Sequence, residues 1–202
     1  MSAIPETLAR PAPVLFILHT ISRAGFEVYL VGGAVRDLLS GAQEVVDFDF
    51  TTNARPEEIQ ALFPEHFYEN QFGTVGVAES HLFEQMGQKT HEHAPEKDKE
   101  LYKNKLIDLT SATKIHTSLQ ETGTLSEKDQ LLSEQVYEIT TFRSDGVYSD
   151  FRKPETVTWG NNLEEDLSRR DFTINAMALS VDPQLLAQFD FASAAYNNVI
   201  AT

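Results

Sequence analysis

Hydrophobic and polar residues alternate most sharply along Val45-Val46-Asp47-Phe48-Asp49-Phe50-Thr51-Thr52, where Val46, Phe48 and Phe50 share one parity and Asp47 and Asp49 the other. Alternation of that kind predicts a strand with one apolar face. A second short strand, Val28-Tyr29-Leu30-Val31, runs into the Gly32-Gly33 turn, a short helix through Ala34-Val35-Arg36-Asp37-Leu38-Leu39, and a stop at Gly41. Val14, Leu15, Leu18 and Ile21 fall at helical spacing, with Pro11 and Pro13 near the start and Gly25 at the end. Pro56–Phe63 reads as a helix opened by proline, with Glu57 and Glu58 in its first turn. Phe72–Ala78 and Val136–Arg143 are rich in β-branched residues and are expected to pair, and Asn162-Leu163-Glu164-Glu165 has capping-box spacing, so a helix should start at Leu163. The order is helix, strand, short helix, strand, helix, strand, insert, strand, strand, helices. It predicts an α/β (α+β) unit: a small mixed sheet with helices packed on one side.

The polar positions carry the candidate chemistry. Two carboxylates two apart on a strand lie roughly 6–7 Å apart and repel each other unless a cation sits between them. Metal ions sharing such ligands clamp the attacking and leaving oxygens of a phosphoryl or nucleotidyl transfer. Asp47 and Asp49 alone fit the solvent side of an edge strand better. The preceding segment reverses that preference. Gly32 and Gly33, at a strand-to-helix turn, let backbone N–H groups approach an anion, and Arg36 can hydrogen-bond a phosphate through its planar fork. Glu138 shares a strand face with Val136 and Thr140, opposite Tyr137 and Ile139; an acid mid-strand is costly when buried unless paired or metal-bound. In Arg169-Arg170-Asp171-Phe172-Thr173-Ile174-Asn175-Ala176, a polar string flanked by Leu163, Leu167, Ile174, Met177 and Leu179 suits a ligand or a hydrogen-bond network.

Gly32-Gly33-Ala34-Val35-Arg36-Asp37, Asp47-Phe48-Asp49 and the Arg169–Ala176 string together resemble the head domain of bacterial-type CCA-adding enzymes and poly(A) polymerases, the class II tRNA nucleotidyltransferases of the polymerase β superfamily. Phe72-Gly73-Thr74-Val75-Gly76-Val77 and Tyr137–Gly146 fit in the same order, so the resemblance covers about residues 14–78 and 136–190. It implies a polymerase β-like nucleotidyltransferase head that adds CMP and AMP from CTP and ATP to the tRNA 3′ end without a nucleic-acid template. It also implies that Asp47, Asp49 and Glu138 hold Mg²⁺, and that Gly32, Gly33, Arg36 and Arg170 contact the nucleotide. Asp171 and Asn175 are expected to support the contact residues from behind or to be structural. A poly(A) polymerase head, or a nucleotide- and metal-binding module without templated addition, stands as the alternative. Glu165-Asp166-Leu167-Ser168-Arg169 has the E-D-x-x-R spacing of a neck motif that reads the base, but it lies inside the head's own string and is not taken as a reader.

Residues 1–190 are therefore expected to form the head, and 191–202 the start of a neck. Glu79–Gln135 departs from the resemblance; His91–Glu100 reads as solvated and flexible, and Leu101-Tyr102, Leu106-Ile107 and Leu131-Leu132 as anchors of short elements. The 202 residues carry a net charge of -15, which supplies no basic stripe for gripping RNA. The resemblance assigns that grip to domains beyond the head. There is no cysteine, which excludes disulfides and thiolate metal sites and suits a cytoplasmic setting. Val14-Leu15-Phe16-Ile17-Leu18 is too short to span a bilayer and lacks the flanks of a signal peptide, so no membrane partner is expected.

Overall fold

Helix α1 (Ala12–Arg23) lies where the apolar spacing predicts, yet it is buried on nearly every side from Ala12 to Leu18 and again at Thr20 and Ile21. A helix apolar all round belongs inside a fold rather than on its surface. It touches β1 (Val28–Val31). From there the chain follows α2 (Gly33–Leu39), β2 (Asp49–Thr52), α3 (Pro56–Leu62), β3 (Phe67–Glu69), β4 (Thr74–Ala78), α4 (Glu79–His93), β5 (Val136–Thr141), β6 (Arg143–Asp145), β7 (Val157–Trp159), α5 (Leu163–Ser168), a 3₁₀ turn (Thr173–Asn175), β8 (Ala178–Leu179) and α6 (Pro183–Leu186). This computed structural model describes residues 12–42, 45, 47–69, 73–93, 135–145, 157–160, 162–170 and 172–191.

The main sheet has six strands in the order β3-β4-β5-β2-β1-β8, and β6 and β7 form a separate two-stranded ladder. β1 runs antiparallel to both β2 and β8, whereas β2 and β5 are parallel, so the sheet is mixed as expected. β4 and β5 are neighbours across the insert, also as expected. Strand parity separates the two faces. Val28, Leu30, Phe50, Tyr137, Ile139, Val75 and Val77 are buried on the apolar face. Phe48 and Phe50 both lie 6.5 Å from the Tyr137 ring, so the alternating phenylalanines anchor β2 to β5. α1, which contacts α3 and α6 as well as β1, supplies much of the core.

The chain divides into two compact units, with borders at Val77/Ala78, Val136/Tyr137 and Gln188/Phe189. The first holds all strands of the sheet, save the border residues of β4 and β5, together with the Arg169–Asn175 region. In the second, α4 is an element that the sequence reading missed. Leu82 and Met86 are four apart and both buried, which is a helical signal, and a search for strand alternation passes over it. The backbone of His91–His93 belongs to that helix. The anchors expected between Leu101 and Leu132, the segment beyond His93 expected to be flexible, residues 192–202 and Asp171 lie outside the described residues.

Gly73 opens β4 with φ +65, and a Cβ placed on it would stand 2.1 Å from the Trp159 ring. Gly73→Ala therefore combines a left-handed backbone with an overpacked contact and should destabilise the chain by roughly 2–4 kcal/mol. Trp159 is the single tryptophan, so thermal unfolding followed by its fluorescence reports both the lost stability and the displaced ring. An unchanged midpoint and emission maximum would contradict this packing.

Candidate functional site

β2 and β5 bring the first two carboxylates together. Their parallel register pairs Asp49 with Glu138. Residues directly opposite on neighbouring strands lie about 4.8 Å apart and project to the same face. That face is the polar one, shared with Thr51, Thr140 and Thr74; the Thr74 and Thr140 hydroxyls lie 3.2 Å apart. Asp49 is half-buried and Glu138 is exposed. The parity expected for Glu138, opposite Tyr137 and Ile139, is the one found.

Asp47 differs from expectation. It lies outside β2, is exposed, and is the one non-glycine residue with a positive φ, 57°, among the described residues. Aspartate tolerates this left-handed conformation better than most residues. The Asp-x-Asp is therefore not one flat strand face: a kink precedes the strand and Asp49 begins it. Asp47 still adds to the negative potential at Asp49.

The Asp49 carboxyl is pushed up to about 6, first by burial and next by the Glu138 charge; the Arg170 charge pulls it down and Asp47 pushes it further up. Such a carboxyl lies in a field short of positive charge. Among the described residues, no three histidines or acids stand together as a closed metal cage. The donor chemistry nonetheless fits a hard divalent cation of the magnesium type, which takes one or two carboxylates and completes its shell with water and phosphate oxygens.

The glycine turn faces Asp49. Gly32 has φ 79 and ψ -147, backbone space open to glycine. A side chain there would begin 3.5 Å from Asp49 Oδ2 and 3.7 Å from an Arg170 guanidinium nitrogen. Gly32, Asp49 and Arg170 therefore converge. The Gly32 N–H donates to the Met177 carbonyl at 3.4 Å, so this glycine supplies room rather than a free amide. The Arg36 guanidinium folds back over Gly33, with a nitrogen 3.4 Å from where a Cβ would sit. Arg36 Nε donates to Asp37 at 2.8 Å and another of its nitrogens donates to Asn175 Oδ1 at 3.1 Å. That hydrogen bond from Arg36 also holds the Asp37 carboxyl below its usual range. Asn175, expected to have a supporting or structural part, braces one of the two candidate phosphate-binding arginines.

Asp166, set aside in the sequence as part of a look-alike motif, is fully buried within α5. One carboxylate oxygen accepts from Arg169 Nε at 3.0 Å, a second Arg169 nitrogen at 2.8 Å and the Arg143 N–H at 3.3 Å. The other accepts from the Thr51 hydroxyl at 3.0 Å and pairs with Arg170 at 3.5 Å. The adjacent arginines are thereby distinguished: Arg169 is clamped, whereas Arg170 is held loosely and reaches the side of Gly32 and Asp49. A clue was available in the sequence, because Asp166 stands three and four residues before the arginines, which places all three on one side of a helical turn.

Asp49 yields a signed stability prediction. Its folded-state pKa lies above the ordinary 3.8, so its favourable contribution is fully present below that value and lost as pH rises through about 6. Without divalent cations, Asp49→Asn should melt at a higher temperature than the parent above neutrality, and the gap should shrink towards pH 4. Equal melting temperatures throughout would refute the charge crowding.

The profile of the poly(A) polymerase head domain matches residues 28–114 and 90–195. The chain is 34% identical over 197 residues to the CCA-adding enzyme of Lactobacillus helveticus, covering 98% of this chain and 35% of that protein. It is 35% identical over 190 residues to the CCA-adding enzyme of Leuconostoc citreum, covering 94% and 33%. Among solved structures, the Bacillus stearothermophilus CCA-adding enzyme in complex with CTP superposes with a TM-score of 0.51 at 26% identity, over 96% of this chain and 32% of that one. The chain spans about a third of the length of the curated relatives it matches.

Proposed function

The chain belongs to the poly(A) polymerase head-domain family, and we propose that it is the catalytic head of a CCA-adding tRNA nucleotidyltransferase. The observation that carries this reading is the convergence of Asp49, Glu138, Gly32 and Arg170 on the polar face of the sheet. The relatives' names favour CCA addition over poly(A) addition. The proposed substrates are CTP, ATP and the 3′ end of tRNA.

Arg36 and Arg170 would bind the triphosphate oxygens, with Gly32 leaving the space and Gly33 the close backbone approach. Asp47, Asp49 and Glu138 would hold Mg²⁺, which when bound supplies charge neutralisation and acidifies the RNA 3′-hydroxyl. The 3′-oxygen forms its bond to the α-phosphorus, the bond to the β-phosphate bridging oxygen breaks, the hydroxyl proton passes to solvent, and pyrophosphate departs between Arg36 and Arg170. Positioning and charge stabilisation carry the rate.

Calorimetric titration of Mg²⁺ with ATP, and separately with CTP, tests the reading. The two nucleotides should bind alike, because these contacts address the triphosphate they share, and discrimination requires hydrogen bonds to the base edge. The double variant Asp47→Ala, Asp49→Ala should lose the Mg²⁺-dependent part of binding. Retention of that part would overturn the site assignment. Ordered addition of two C and one A to a tRNA lacking its CCA end would show that the chain also contains a base reader.

A further inference from the structure

Asp166 is assigned no contact with substrate, yet its carboxylate is fully buried and engages Thr51, Arg143, Arg169 and Arg170. It receives the Thr51 hydroxyl from β2, the strand that carries Asp49, and holds both arginines that follow α5. Arg170 Nε is buried and has no hydrogen-bond partner among the described residues, which leaves the 3.5 Å pair with Asp166 to hold that guanidinium. Arg169 shields the pair by taking the opposite carboxylate oxygen. The Arg170 side chain is one-fifth exposed, enough for the free side of its fork to meet a ligand.

We propose that Asp166 is a positioning residue for triphosphate binding: with Thr51, it fixes the Arg170 guanidinium at the height of Asp49, so that the carboxylates and the arginine act on one phosphate group. This rests on the reading of Arg170 as a phosphate contact. A carboxylate is needed because a neutral acceptor would leave two half-buried arginines without a counter-charge. The Thr51 bond supplies the registration, since Thr51 stands two residues after Asp49 on the same strand face.

The test is a double-mutant cycle on Mg²⁺-dependent ATP binding by the full chain, measured by calorimetry. Arg170→Ala should weaken binding about tenfold or more, the effect of losing a charge-assisted contact. Asp166→Asn should weaken it by a similar factor, and the double variant should bind no worse than Arg170→Ala alone. Multiplying losses would mean that Asp166 acts through general structure, and would overturn the inference while leaving Arg170 in place. Unaltered binding in Arg170→Ala would instead remove the functional reading, and the inference with it. If Asp166→Asn does not fold, Thr51→Val decides: a roughly threefold loss, absent in the Arg170→Ala background and restored by Thr51→Ser, is expected from a lost neutral hydrogen bond. Full affinity in Thr51→Val would overturn the proposal.

Discussion

Two carboxylates abreast at the middle of a sheet cost free energy that the rest of the fold must offset. The parallel register of β2 on β5 imposes that neighbourhood on Asp49 and Glu138, and burial of Asp49 raises its cost. The register itself is locked from the other face. Phe50 opposes Ile139 and packs on Tyr137, so a slip of one residue would turn phenylalanines to solvent and carboxylates into the core. The same apolar packing that stabilises the sheet therefore holds the charges together, and the site cannot relax without loss of the core.

Arg170 is the nearest positive offset, and its placement runs through a chain of buried polar contacts. Thr51 ties Asp166 to the sheet, and Asp166 ties the arginine pair to Thr51. Buried ion pairs of this sort add little net stability compared with apolar packing, but breaking one by removing a partner costs about 3–5 kcal/mol. The network therefore serves geometry more than stability. Arg36 is braced in the same manner by Asp37 and Asn175. Each candidate phosphate-binding arginine thus arrives with its own carboxylate, which fixes the side chain and also reduces the charge it presents.

Local pattern made much of this legible in the sequence. The helix through Val14–Ile21, the strands at Val28–Val31 and Val136–Thr141, the proline-opened helix and the parity of Glu138 all follow from side-chain periodicity, which backbone geometry enforces. The kink at Asp47 did not show, because apolar alternation records where Phe48 and Phe50 point and is silent about a left-handed residue just before them. Helix α4 was hidden by its sparse apolar positions, Leu82 and Met86. Asp166 was given no role from the sequence: its contacts run to Thr51, a residue 115 positions away, and long-range hydrogen bonds leave no periodic trace.

The charge balance bears on how a nucleotide would enter. The chain carries -15 overall, Arg36 and Arg170 are each paired with an aspartate, and Asp49 is already crowded by Glu138 and Asp47. A bare triphosphate approaching this face would meet net repulsion at long range and two half-neutralised arginines at short range. On the proposed reading, a nucleotide that comes with its divalent cation would reverse both terms, since Asp49 and Glu138 would hold the cation and its charge would offset both the phosphates and the crowded carboxylates. The acidity of the surface is then compatible with triphosphate binding without any basic stripe. On that same reading the cation would have two jobs, screening on entry and relieving the charge crowding at Asp49.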